Sequence, residues 1–312
     1  MALGTHIGWT RGDDGTPGAT WNPVSGCTRI SPACDHCYIE RTPPFRMNHR
    51  RFDGDGIGGT TGVQLHPERL DQPLRWRKPR RVFVCSLADL FHDDVPDNFI
   101  GSVFDTMALA PQHTFQVLTK RPARMRALLN KWVRQADDSP YAGASFRRHD
   151  MLWSEPAVWP LPNVWVGVSA ENQKWADIRI PALLETPAAI RWISAEPLLG
   201  PIDLFGDTEN PGPAVVRSGG SIPTDYGTGV EYDWHVEPGV DWLVVGGESG
   251  PGARRMDLGW ASDLQRQCAE FAVPFFMKQL GVVAAKENRM RGSGSDAAAL
   301  RNLGFQQEYP EA

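Results

Sequence analysis

TFQVLTKRPARMRALLNKWVRQ, residues 114–135, reads as a strand, a polar tip and a helix in succession. Thr114–Thr119 is an apolar run of strand length, Lys120 and Arg121 follow it, and Met125, Leu128, Leu129, Trp132 and Val133 then fall on one side of a helix. The same kind of apolar run recurs as VFVCS (82–86), VWVGVS (164–169), IRWIS (190–194), DWLVVGG (241–247) and PFFMK (274–278), with a weaker one at ATWNPVSG (19–26). Near-continuous apolar strands separated by helices imply a parallel sheet covered on both faces. Two more helices are legible. PDNFIGSVFDTMALA (96–110) opens with Pro96, a favoured first helical residue, and carries Ile100, Val103, Phe104 and Met107 as a stripe. LGWASDLQRQCAEF (258–271) follows Asp257, an N-cap residue type.

Six or seven βα units predict an α/β fold: a full or partial (β/α) barrel of parallel strands forming one domain over residues 1–312. An open doubly wound sheet is the alternative, and both place chemistry at the carboxyl ends of the strands. Three segments rich in Gly, Pro or Ser (46–64, 136–160 and 206–240) read as inserted loops, and loops of that length act as lids or are mobile.

The strand ends are polar. They read CSLADLFHDD (85–94), LTKRP (118–122), VSAEN (168–172), SAEPLLG (194–200), GGESGPG (246–252) and MKQLG (277–281). Asp89, Lys120 with Arg121, Glu171, Glu196, Glu248 and Lys278 are therefore expected on one rim. Each of them alone is equally well a solvated loop charge.

The 312 residues are 41% hydrophobic and 22% charged, which excludes wholesale disorder and a collagen-like fibre. No apolar run approaches the ~20 residues that span a bilayer, and the N-terminus lacks a basic stretch followed by an apolar one, so the expectation is a cytoplasmic protein with no membrane partner. The 31 Gly and 26 Pro suggest many short elements joined by long loops, and the 12 Trp suggest core and loop anchors. The net charge is −5, yet Arg41–Arg81 holds ten basic against four acidic side chains. A basic segment on an acidic body reads either as an anion footprint, for phosphates, or as a solvated face. Within it LRWRKPRRVF (74–83) interleaves Arg75, Arg77, Lys78, Arg80 and Arg81 with aromatics, a pattern suited to a nucleic-acid backbone.

Five cysteines in such a chain argue against a disulfide framework. Cys268 recurs with Leu264 and Phe271 at helical spacing and reads as a small buried hydrophobe, whereas Cys85 ends a strand and is ambiguous. Cys27, Cys34 and Cys37 form C-x6-C-x2-C in GCTRISPACDHCY (26–38). Three thiolates in one short loop suit a soft metal. A [4Fe–4S] cluster held by three cysteines keeps one iron open for a small molecule. Zinc would need a fourth ligand, from Cys85, His36 or His92, and would make the protein a zinc-stapled nucleic-acid-binding barrel without redox chemistry. Unmetallated thiols are the third possibility, with Glu171, Glu196 and Glu248 left to acid–base work.

CDHCY (34–38) resembles the end of the cysteine motif of the radical S-adenosylmethionine (SAM) superfamily, and the βα pattern is similar too. More closely, the chain resembles an uncharacterised phage-associated family with a three-cysteine motif. TWNPVSGCTRISPACDHCY (20–38), HPERLDQPLRWRKPRRVFV (66–84), SLADLFHDDVP (86–96), TFQVLTKRPARM (114–125), LPNVWVGVSAENQ (161–173), ISAEPLLGPID (193–203), DWLVVGGESGPGARRM (241–256) and VPFFMKQLG (273–281) carry that resemblance. The superfamily's usual spacing is C-x3-C-x2-C, from which this chain departs in the first interval.

The resemblance implies that Cys27, Cys34 and Cys37 ligate a [4Fe–4S] cluster, and that SAM binds its open iron. Reductive cleavage of SAM then yields a 5′-deoxyadenosyl radical, with a flavodoxin or ferredoxin as electron donor. On the same footing, Lys120 or Arg121 would meet the SAM carboxylate, Ser86 or Asp89 its amino group, and Ser169, Glu171 and Asn172 its ribose. Glu196 falls to either SAM or substrate. The superfamily's GGE lies near its second strand, whereas here Gly246–Glu248 sits on a late one, so Glu248, Lys278 and Gln279 are expected at the substrate rim. The phage association and the basic stretch suggest modification or repair of a nucleic acid or nucleotide.

Overall fold

The computed structural model describes residues 2–5, 7–12, 14–137, 159–206, 210, 212–223 and 230–310. The chain opens with β1 (Ala2–Leu3), β2 (Ala19–Trp21), β3 (Val24–Ser25), the short helix α1 (Pro43–Met47) and β4 (Gln64–Leu65). It then alternates through β5 (Arg81–Val84), α2 (Asp97–Ala108), β6 (Thr114–Thr119), α3 (Pro122–Asp137), β7 (Val164–Ser169), α4 (Gln173–Leu184) and β8 (Ile190–Ala195). A hairpin of β9 (Val215–Pro223) and β10 (Val230–Pro238) precedes β11 (Trp242–Gly246), α5 (Leu258–Glu270), β12 (Phe275–Gln279), α6 (Val282–Glu287) and α7 (Ala297–Asn302).

The main sheet runs β1-β2-β5-β6-β7-β8-β11-β12, with β1 antiparallel and the other seven strands parallel. Strand order follows chain order and never reverses, so there is no switch point of the doubly wound kind. The sheet curls into a half-barrel flanked by helices, the partial (β/α) barrel that the sequence predicts.

Period-2 alternation divides each strand between two cores. Outward residues such as Val82, Val84, Phe115, Val117, Val166, Val168, Leu243 and Val245 pack in the large cluster that includes the helix residues Ile100, Phe104, Leu129 and Leu264. Inward residues form a second cluster of Phe83, Trp165, Ile190, Trp192, Trp242, Val244 and Phe276. Trp9, from the turn Gly8–Thr10, joins this cluster with ring centroids 4.7 Å from Phe83 and 5.1 Å from Trp192. Both faces being covered explains why all six residues of β7 are buried. The free edge of β12 is covered by the C-terminal segment: Met277 N donates to Gln306 O and Glu308 N to Phe275 O, both at 2.9 Å. A buried row of backbone donors and acceptors thereby gains partners.

Of the expected inserted loops, one needs correction. Segment 206–240 is not a plain loop, because β9 and β10 pair antiparallel over nine residues each. The alternation in VEYDWHVEP (230–238) is strand-like, and the Gly and Ser content of the partner strand hid it. Segment 46–64 is a strap bonded to the cysteine loop: Thr61 N donates to Cys27 O (3.0 Å), Arg29 N to Gly59 O (2.9 Å) and Gly58 N to Arg29 O (2.8 Å). Segment 136–160 lies almost wholly outside the described residues. Pro96 caps α2 rather than occupying its first turn, a one-residue difference.

Candidate functional site

The carboxyl ends of β5, β6, β7, β8 and β12 border a cavity of about 330 Å³. Cys27, Cys34 and Cys37 all line it, and none is in a disulfide. Local backbone chemistry sets this loop. Cys34 N donates to Ser31 O (2.9 Å) and Cys37 N to Cys34 O (3.3 Å), which places the last two thiols on successive tight turns. Gly26, just before Cys27, has φ +98°, and a Cβ there would lie 1.7 Å from the Gly62 carbonyl oxygen of the strap. Gly26→Ala therefore meets both backbone strain and a clash with main chain. We expect it to cost about 2–4 kcal/mol and to lower the urea midpoint accordingly.

Burial pushes the Cys27 thiol up to about 12, with the Asp89 carboxylate adding to the rise, and burial also raises Cys37. A metal would displace these protons and supply the positive charge that buried thiolates require. Among the described residues, no three His, Cys, Asp or Glu side chains are grouped to hold one metal ion. Of the three candidate fourth ligands, His36 has no ring hydrogen bond among the described residues, whereas His92 Nε2 bonds Thr28 Oγ1 (2.8 Å) and its Nδ1 accepts from Asp94 N (3.1 Å). Cys85 packs in the apolar core beside its place on the cavity wall.

Asp89, 5% exposed, organises the end of β6. Its oxygens accept from Phe91 N (3.0 Å), Thr119 Oγ1 (2.7 Å), Lys120 N (3.0 Å) and Arg121 Nη1 (3.1 Å). With four donors converging on it, Asp89 positions its neighbours and has little capacity for a ligand amine. Arg121 also donates to Thr28 O (3.2 Å) and lies 3.8 Å from Cys27 Sγ, tying the cysteine loop to β6. The sequence offered Lys120 and Arg121 as equal candidates, and the geometry separates them. Lys120 lines the cavity with Nζ 3.3 Å from Ser169 Oγ and no carboxylate partner among the described residues. Ser86 also lines the cavity; its hydroxyl exchanges hydrogen bonds with the Asn22 amide (3.1 and 3.2 Å).

On the far wall, Lys278 Nζ and Glu196 Oε1 pair at 2.8 Å, and Ser194 Oγ lies 3.4 Å from Glu196 Oε2. This carboxylate occupies space that Gly246 leaves open, since a Cβ at Gly246 would sit 2.5 Å from Glu196 Oε1. The first glycine of GGE is thus a spacer for the ion pair. Gly246→Ala is expected to displace Glu196 from Lys278 at about 1–3 kcal/mol, read as a lower thermal midpoint and a lost contact in a crystal structure of the variant.

The remaining sequence-expected residues divide between the cavity wall and other surroundings. Glu171 does not line the cavity; it is fully buried, bonded to Arg179 Nη1 (2.8 Å) and to Ala33 N (3.3 Å), so its role lies beneath the cysteine loop rather than at a ribose. Asn172 caps α4, accepting from Trp175 N (3.4 Å). Glu248 is held by Arg254 through three bonds, from N (2.7 Å), Nε (3.1 Å) and Nη2 (2.7 Å), which lower its carboxyl against the opposing effect of burial. Gln279 stays on the wall, donating to Gly247 O (2.8 Å).

The basic stretch precedes β5 and so lies at the amino edge of the sheet, away from the cysteines at the carboxyl edge. Arg77 and Lys78 are exposed, Arg75 pairs with Asp71, and Arg80 donates to Pro17 O (2.8 Å). Arg81 is buried, donating to Arg11 O (2.6 Å) and stacked 4.2 Å from the Tyr309 ring, which removes it from any backbone-contact surface.

Sequence reasoning missed Trp9 and Phe83 on the cavity floor and Ser194 on its wall. Tyr38 donates its hydroxyl to the Ser86 carbonyl while its side chain is 45% exposed; its place next to Cys37 was the available signal.

A family model described as "Protein of unknown function (DUF5131)" matches residues 4–307. No curated protein and no solved structure matches the chain.

Proposed function

We propose a function for this chain, which belongs to the DUF5131 family: it is an iron–sulfur enzyme of radical-SAM type, acting on a nucleotide or nucleic acid. The observation that carries this reading is the shared cavity, in which three free cysteines from one loop face a lysine with no carboxylate partner among the described residues.

Cys27, Cys34 and Cys37 are the residues that would hold a [4Fe–4S] cluster. Bound there, the cluster would supply one-electron reduction of SAM, with the electron drawn from a flavodoxin- or ferredoxin-type donor, and cleavage of the C5′–S bond would give methionine and a 5′-deoxyadenosyl radical able to take hydrogen from substrate. The chain's own groups bind, orient and shield. Lys120 offers the charge that the carboxylate of SAM needs, and Ser169 Oγ holds that ammonium in place. Asp89 fixes the Lys120 amide and the Arg121 guanidinium together, so the end of β6 and the cysteine loop keep one geometry. Trp9, Phe83 and Leu118 line the inner part of the cavity with apolar surface, which excludes water from a reactive radical.

The test is metal and inorganic-sulfide analysis of protein purified without oxygen, followed by incubation with SAM and a strong reductant. About four irons and four sulfides per chain, with release of 5′-deoxyadenosine, are expected. A colourless protein holding one zinc and no sulfide would overturn the reading.

A further inference from the structure

The cavity has two halves. The β5–β7 half holds Asp89, Lys120 and Ser169, and the β8–β12 half holds Ser194, Glu196 and Lys278. Three features of the second half point to a ligand of one kind. Glu196 and Lys278 set a carboxylate acceptor and an ammonium donor 2.8 Å apart on one wall. Trp9 borders the cavity, and its indole N–H, in a side chain 2% exposed, has no partner among the described residues. Lys278 and Gln279 also line a second cleft, of about 630 Å³. Arg11 borders that cleft with no side-chain partner among the described residues.

We infer that Glu196 and Lys278 read the hydrogen-bonding edge of a nucleobase, with the remainder of the nucleotide extending into the second cleft. This rests on the cavity being the substrate site of the proposed enzyme, and it assigns Glu196, open between SAM and substrate in the sequence, to the substrate. The chemistry is complementary. A base edge places a ring or amino N–H beside a carbonyl or imine acceptor, so the carboxylate accepts from the former while the ammonium donates to the latter. An acceptor on the base can satisfy the Trp9 indole N–H. Arg11 stands where the phosphate would emerge.

The experiment is calorimetric titration of anaerobically purified full-length protein with the four ribonucleoside 5′-monophosphates and with 1-methylguanosine and 3-methyluridine monophosphates, whose edge N–H is blocked. GMP or UMP is expected to bind at least tenfold more tightly than its methylated counterpart. E196A should erase that difference, K278M should weaken blocked and unblocked bases alike, and R11Q should weaken the nucleotide more than the nucleoside. Equal binding of blocked and unblocked bases, or no binding of GMP and UMP to cluster-loaded protein, would overturn the inference. Iron and sulfide are measured on the same samples. A cluster without nucleotide binding removes only this inference, and nucleotide binding without sulfide removes only the radical reading.

Discussion

Cys34→Ala is expected to yield a protein that folds yet carries no intact cluster, has no brown colour and releases no 5′-deoxyadenosine. The fold should survive because Cys34 belongs to neither apolar core and its side chain is only partly buried. The cluster should not, because a cubane already bound by only three protein thiolates loses a third of its anchorage. Cys27→Ala and Cys37→Ala should behave alike. The informative comparison is Cys85→Ala. Cys85 borders the same cavity, but its thiol sits in the apolar core and burial pushes it strongly toward the neutral form. Under the cluster reading Cys85→Ala keeps full iron and sulfide. Under the zinc reading with Cys85 as fourth ligand it loses the metal with the others. Iron, sulfide and zinc analysis on the four variants decides between the two readings, and a full cluster in Cys34→Ala would end the ligand assignment.

The barrel was legible where burial on both faces made the strands continuous. Val164–Ser169 is apolar or small at every position because one side meets helices and the other meets the tryptophan layer. What a linear reading lacks is which end of the sheet a residue occupies and which way it turns. Ten basic residues over Arg41–Arg81 looked like one footprint. In three dimensions part of that stretch holds the strap, through Arg50 on Ser25 Oγ (3.0 Å), and part lies at the opposite edge of the sheet, with Arg81 inside it. Glu171 and Glu196 look equivalent as VSAEN and SAEP. One is sealed under the cysteine loop and the other faces the cavity, because Arg179 lies eight residues beyond the first, whereas Lys278 meets the second from β12. Trp9 was hidden because its partners, Phe83, Trp192 and Trp242, come from distant strands.

The second large effect concerns the pair beneath the cysteines. Glu171 and Arg179 are 0% and 1% exposed, joined at 2.8 Å, with Arg179 also donating to Ser169 O (2.8 Å) and stacked 4.2 Å from Trp175. Removing one partner strands a charge in a dry interior, so Glu171→Ala is expected to cost about 3–5 kcal/mol. A buried pair is weak support for stability in itself, since apolar replacement of both partners is often neutral. The double variant Glu171→Leu with Arg179→Met should therefore recover most of the urea midpoint lost in the single variant. It cannot restore the bond from Ala33 N to Glu171, the contact beside Cys34. The double variant is thus expected to be nearly as stable as the parent while taking up iron and sulfide poorly, and Glu171→Gln, which keeps an acceptor oxygen for Ala33 N, should take them up better than the double variant. Full cluster content in a stable double variant would show that the pair serves packing alone. Recovered stability with depleted sulfide would show that a buried charge is kept here to hold a ligand loop in place.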